Sequence, residues 1–73
     1  MKIQAGKRYV TRNGIVTSPI KSSNNGTNYI WAATIQNPLS EAGDLTVESW
    51  LEDGKVFIPS LDNPFDLVAE FEG

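Results

Sequence analysis

Cysteine and histidine are both missing from the 73 residues. Their absence excludes disulfide staples and the thiolate and imidazole ligands of structural zinc sites. It also removes Cys-His and Ser-His nucleophile pairs and any side chain that titrates near neutrality without perturbation. No apolar run is long enough to cross a bilayer, and there is no heptad, internal repeat or sustained helical periodicity. The six glycines have neither P-loop nor dinucleotide-fold spacing. The stretch Met1-Lys2-Ile3-Gln4-Ala5-Gly6-Lys7-Arg8 has no apolar h-region, so a cytoplasmic location is expected, and the sequon Asn25-Gly26-Thr27 reads as turn chemistry.

What remains is one small domain over residues 1–73. A core of this size yields about 3–5 kcal/mol of net stability, and small domains usually add disulfides, metal or oligomerisation. With the first two excluded, self-association is the remaining supplement, and a homo-oligomer is expected.

Charge is low overall and uneven along the chain. The net charge is −3, but Met1 to Lys21 carries Lys2, Lys7, Arg8, Arg12 and Lys21 with no acid, a local +5, whereas Ser22 onward carries −8 with Lys55 as its one base. Two readings stand side by side. The basic segment and the acidic remainder are complementary neighbours within one fold or across a subunit contact, or the basic segment meets an anionic ligand, since Arg binds phosphate bidentately.

Asn13-Gly14 and Asp53-Gly54 each predict a two-residue type I′ hairpin. In the first, Thr11 then opposes Val16 and Val10 opposes Thr17. Tyr9, Thr11, Val16 and Ile20 fall on a core face; Arg8, Val10, Arg12, Ile15 and Thr17 fall on a mixed one. In the second, Leu51 opposes Val56, Trp50 opposes Phe57 and Ser49 opposes Ile58. Leu45, Val47, Leu51, Val56 and Ile58 make the core face, with Glu52 and Lys55 paired across the other. Trp50 and Phe57 then land on the polar side, where a second small core, a subunit interface or a base-stacking role would cover them.

Between the hairpins, Tyr29 to Ile35 reads as a central strand buried on both faces, preceded by a polar binding loop from Lys21 to Asn28 and followed by a loop from Asn37 to Asp44. Asp62-Asn63-Pro64-Phe65 is a turn, and Asp66 to Phe71 a last strand. The fold class expected is all-β, mainly antiparallel, a five- to six-stranded meander or barrel-like bent sheet. Asp53, Asp62, Asp66, Glu70 and Glu72 read as solvated charge rather than a catalytic pair, so no enzymatic activity, metal or cofactor is expected.

Gly6-Lys7-Arg8-Tyr9-Val10-Thr11-Arg12-Asn13-Gly14-Ile15-Val16-Thr17-Ser18-Pro19-Ile20, then Trp50, Asp53-Gly54 and the closing Asp66-Leu67-Val68-Ala69-Glu70 resemble a group of short bacteriophage proteins across about half of the chain. Some small phage proteins of this kind are anti-defence sponges that sequester the cyclic nucleotide signals of CBASS or Thoeris immunity. The resemblance implies a host-cytoplasmic, non-catalytic oligomer. Its phosphate contacts would come from Lys7, Arg8 and Arg12, its stacking from Tyr9, Trp31 and Trp50, and its base-edge contacts from Asn13 or Asn28. The alternatives are an acidic inhibitor of a host protein, of the anti-CRISPR or DNA-mimic type, and a virion accessory protein. Direct nucleic-acid binding is disfavoured by a pI near 4.6. No membrane partner is expected.

Overall fold

The computed structural model describes residues 2–23, 26–56 and 61–72. Five strands appear among them: β1 (Tyr9–Thr11), β2 (Lys21–Ser22), β3 (Trp31–Gln36), β4 (Leu45–Trp50) and β5 (Leu67–Glu70). No described residue is helical, so no helix is long and apolar enough to cross a membrane. All pairing is antiparallel, in two sheets: β1 with β5, and β2-β3-β4 with β3 in the centre. The all-β expectation holds, but the single meander or barrel does not. The first strand pairs with the last, and the segment after the first turn serves both sheets in succession. Thr17 N–H donates to Tyr9 O (2.8 Å), whereas the next residue, Ser18, donates to Thr34 O (2.9 Å). Pro19 follows at the crossing, where its missing N–H interrupts a ladder.

Both hairpin turns fall where Gly14 and Gly54 predict, but neither is type I′, because no described non-glycine residue has positive φ. Gly14 N–H donates to Thr11 O (2.9 Å) and Thr11 N–H to Ile15 O (2.8 Å); Gly54 N–H donates to Leu51 O (2.9 Å) and Leu51 N–H to Lys55 O (2.8 Å). Each is a three-residue loop, a type I turn closed by glycine in the left-handed region, at φ 88° for Gly14 and 85° for Gly54. Gly54 is also packed: a Cβ there would stand 3.2 Å from Leu67 Cβ.

The extra loop residue shifts the first return arm by one, which exchanges its faces. Val10 bridges Val16. Thr17 is buried and Ile15 packs on the core, while Val16 is only half-buried, the reverse of the two-residue register. Burying Thr17 leaves no orphan, because its hydroxyl accepts from Tyr9 N–H (3.1 Å) and donates to Ser18 O (2.8 Å).

The second sheet inverts a larger expectation. Trp31 faces Trp50, Ala33 faces Glu48 and Ile35 faces Thr46, so these six side chains share the inner face. Trp50, at 0% exposure, is the largest buried side chain, and its indole N–H donates to Phe65 O at 2.7 Å. Leu45 and Val47, expected in the core, are 70% and 68% exposed on the outer face. Three aliphatic side chains outnumber one tryptophan in a pattern count, but a single indole buries as much as two of them and here also satisfies its N–H. The expected Trp50–Phe57 and Ser49–Ile58 pairs involve residues outside those described. β3 has buried Ala33 and Ile35 inward, while outward Ala32 and Thr34 are half-buried, so its burial is one-sided.

Asp66 joins the second hairpin to the last turn. Its wholly buried carboxylate accepts Val56 N–H (2.8 Å) and Asn63 N–H (2.9 Å), and Lys55 Nζ stands 3.0 Å away. Burial pushes this carboxyl up, but the two backbone donors and the Lys55 ammonium outweigh it and leave the pKa below its ordinary value. Lys55 also reaches Asp62 (3.1 Å), so the expected Glu52–Lys55 pair is replaced by this cluster.

Candidate functional site

The eight residues expected to bind ligand are distributed over the core, the surface of the small sheet and a separate cleft. Tyr9 is 1% exposed, its hydroxyl accepting Gln4 N–H at 2.7 Å, and Trp50 is sealed; neither presents a ring face to solvent. Lys7 Nζ lies 2.9 Å from Glu70, which raises the lysine pKa above its ordinary value through that hydrogen bond and the carboxylate's charge. Arg12 sits 3.4 Å from Asp62 and 3.6 Å from Asp66. Asn13 accepts from the Thr11 hydroxyl and donates its N–H to Pro64 O (2.9 Å). The basic first segment and the acidic remainder are therefore complementary neighbours in one chain at Lys7 and Arg12.

Asn28 and Trp31 do come together, in a cleft of about 710 Å³ whose other lining includes Ile30, Leu51, Glu52 and Asp53. Its charge is unsuited to a polyanion, with two carboxylates against Lys2. The Trp31 indole N–H is buried without a hydrogen-bond partner among the described residues.

Arg8 differs from its neighbours. No described carboxylate pairs with it, yet its guanidinium is held in place, over the Phe71 ring at 4.8 Å and with Nε donating to Thr17 O at 3.3 Å. It lines a groove of about 390 Å³ together with Ser18, Pro19, Thr34, Gln36 and Leu45. That groove shares Ser18, Pro19 and Thr34 with a second of about 580 Å³ that runs on to Lys21, Ala32 and Val47.

Together they form one trough on the outer face of the three-stranded sheet, with a cation at each end. The local sequence explains it. Lys21 pairs with Ala32 and so shares its outward direction, while β3 turns its small or hydroxyl-bearing residues Ala32 and Thr34 outward. Pro19 and Ser18 wall one side, and Leu45 and Val47 the other. From Ala32 to Gln36 the trough follows β3 for about 13 Å. No described lining residue is acidic, in a chain with nine acids and six bases. Ser18, Thr34 and Gln36 were not singled out by the sequence; Lys21 was counted among the basic residues and at the start of the polar binding loop, but it lies in β2, and its face depends on the pairing with β3.

The fold and site thus define a small antiparallel two-sheet domain with an acid-free, cation-ended trough. No family model, curated protein or solved structure matches the chain, so its functional reading rests on this geometry and on the motif resemblance.

Proposed function

We propose that this protein binds and sequesters an anionic, nucleotide-like ligand without turning it over, a cyclic dinucleotide being the member of that class to which the phage resemblance points. The observation that carries the proposal is Arg8 and Lys21 at opposite ends of a trough with no acid in its described lining. Two separated cations suit two phosphates. The Ser18 and Thr34 hydroxyls and the Gln36 amide offer hydrogen bonds between them, and Pro19, Leu45 and Val47 offer apolar cover for a base face. The site therefore moves from the first hairpin to the outer sheet face, with Arg8 the one residue retained. The cytoplasm is the proposed compartment. The acidic-inhibitor alternative draws less support, because Asp62, Asp66 and Glu70 are turned toward cations of their own chain.

Native mass spectrometry with a panel of cyclic di- and trinucleotides and cyclic ADP-ribose isomers tests this. The expected result is whole-number addition of a nucleotide, recovered intact on denaturation. Arg8→Gln with Lys21→Gln should weaken binding by at least about 100-fold, each charge-assisted contact being worth about 1.5–3 kcal/mol. Absence of binding across the panel, or equal affinity in the double variant, contradicts the proposal.

A further inference from the structure

We infer that the outer edge of β4 pairs with β4 of a second copy, antiparallel about a two-fold axis through Val47, so that two three-stranded sheets become one of six strands.

The orientation of the backbone groups comes from the β3–β4 ladder. Asn37 N–H donates to Asp44 O at 2.8 Å, making that pair a hydrogen-bonded one. Alternation then makes Ile35/Thr46, Ala33/Glu48 and Trp31/Trp50 the bonded pairs, and turns the N–H and C=O of Leu45, Val47 and Ser49 away from β3. Two contacts agree. Thr34 uses its backbone on the side away from β4, toward Ser18, and Leu51, two residues past Ser49, donates to Lys55 on the outer side.

Among the described residues no strand occupies this edge. Ser49 N–H instead turns to the carboxylate of its neighbour Glu48, at 3.2 Å. At Val56 the chain bends, its N–H bound to Asp66 and its carbonyl accepting the Tyr29 hydroxyl. A six-residue edge strand that exposes Leu45 and Val47 is a template for another strand.

A second copy fits this edge in a single register, which charge selects. Outward-facing residues must pair with outward-facing residues, so the registers differ by steps of two. With Val47 opposite its own copy, Leu45 faces Ser49, Thr46 faces Glu48, and no like charges oppose. A step one way sets Glu48 against Glu48, and a step the other way sets Glu48 against Asp44; both are repulsive. The Val47-centred register also uses all three outward residues on each strand and brings the exposed Leu45 and Val47 side chains of both copies onto one face.

The absence of cysteine makes the register directly testable, since any introduced pair can only cross-link to itself. In a hydrogen-bonded antiparallel pair the Cα atoms lie about 5.5 Å apart, within disulfide range. Val47→Cys should oxidise to a disulfide dimer. Leu45→Cys and Ser49→Cys should not when introduced singly, but should cross-link when the two variants are mixed. Sedimentation equilibrium of the unmodified chain should give twice its 8.0 kDa mass, and Val47→Lys, which opposes two ammonium groups at the axis, should return it to one chain with an unchanged circular dichroism spectrum. A chain that is monomeric at millimolar concentration, or Leu45→Cys cross-linking alone as readily as Val47→Cys, overturns the inference.

Discussion

Trp50→Ala is expected to lower the folded population to about one half at 25 °C without denaturant. The side chain is fully buried between β3 and the 61–66 segment, and its indole N–H donates to Phe65 O at 2.7 Å. Truncating a buried tryptophan costs about 3–5 kcal/mol, which equals the whole net stability expected of a cysteine-free core of this size. Val47→Ala provides the internal contrast. Were β4 oriented as hydrophobic counting suggests, Val47 would be the core residue and Trp50 the tolerant one. With Val47 68% exposed, its truncation should change the stability of the subunit by less than about 0.5 kcal/mol. Urea unfolding followed by far-UV circular dichroism at low protein concentration, where assembly does not contribute, separates the two orientations. A folded Trp50→Ala protein with a wild-type midpoint would refute the packing described.

Asp66→Asn is expected to cost about 3 kcal/mol, because a buried carboxylate that satisfies two backbone donors and an ammonium is replaced by an amide that brings donors of its own. It should also change the shape of the pH profile. In the native protein the Asp66 pKa lies below its ordinary 3.8, so its stabilisation is present above that pH and is lost as pH falls through the native value. Lys7 and Lys55 are raised above their ordinary 10.5, so their contributions are complete below that pH and are lost as pH rises through the native values. The thermal midpoint should therefore be flat between about pH 5 and 9, with an acid limb that Asp66→Asn makes shallower and an alkaline limb it leaves largely to Lys7. An acid limb of unchanged steepness in Asp66→Asn would show that other carboxylates carry it.

The turns, the central strand, the Asn37–Asp44 loop and the all-β class are legible in the sequence, because glycine after Asn or Asp and β-branched alternation act locally. The registers are not, since Asn-Gly and Asp-Gly fit both two- and three-residue loops. At Gly14 the longer loop is held by the Thr11 hydroxyl, which accepts Ile15 N–H (2.9 Å), and by Asn13 N–H reaching Pro64 O. That second partner lies some fifty residues away and leaves no trace in the local pattern. At Gly54 the loop is fixed by Leu67 N–H donating to Gly54 O (2.9 Å), again a contact with the last strand. The displacement is one residue, but in a strand of period two it exchanges the faces, moving Thr17 inward and Val16 outward.

The same physics explains what was legible of the site. The charge imbalance is visible in the sequence and does correspond to ion pairs, but which cations are consumed depends on β5 and the 61–66 turn. Lys7 meets Glu70 and Arg12 meets Asp62 and Asp66, while Arg8, one residue from Lys7, points to the opposite face of the chain and meets Phe71 instead. Aromatic residues were expected to stack on ligand; two of the three are the pieces that hold the sheets together.

A two-dimensional NMR titration with the cyclic nucleotide that binds most tightly locates the ligand directly. The Arg8 Nε–H signal and the amides of Ser18, Lys21, Thr34 and Val47 should move and saturate together, while the indole signals of Trp31 and Trp50 stay in place. Movement centred on the Trp31 indole and Asn28, with Arg8 and Lys21 unaffected, would place the ligand in the acidic cleft and contradict the outer-face site.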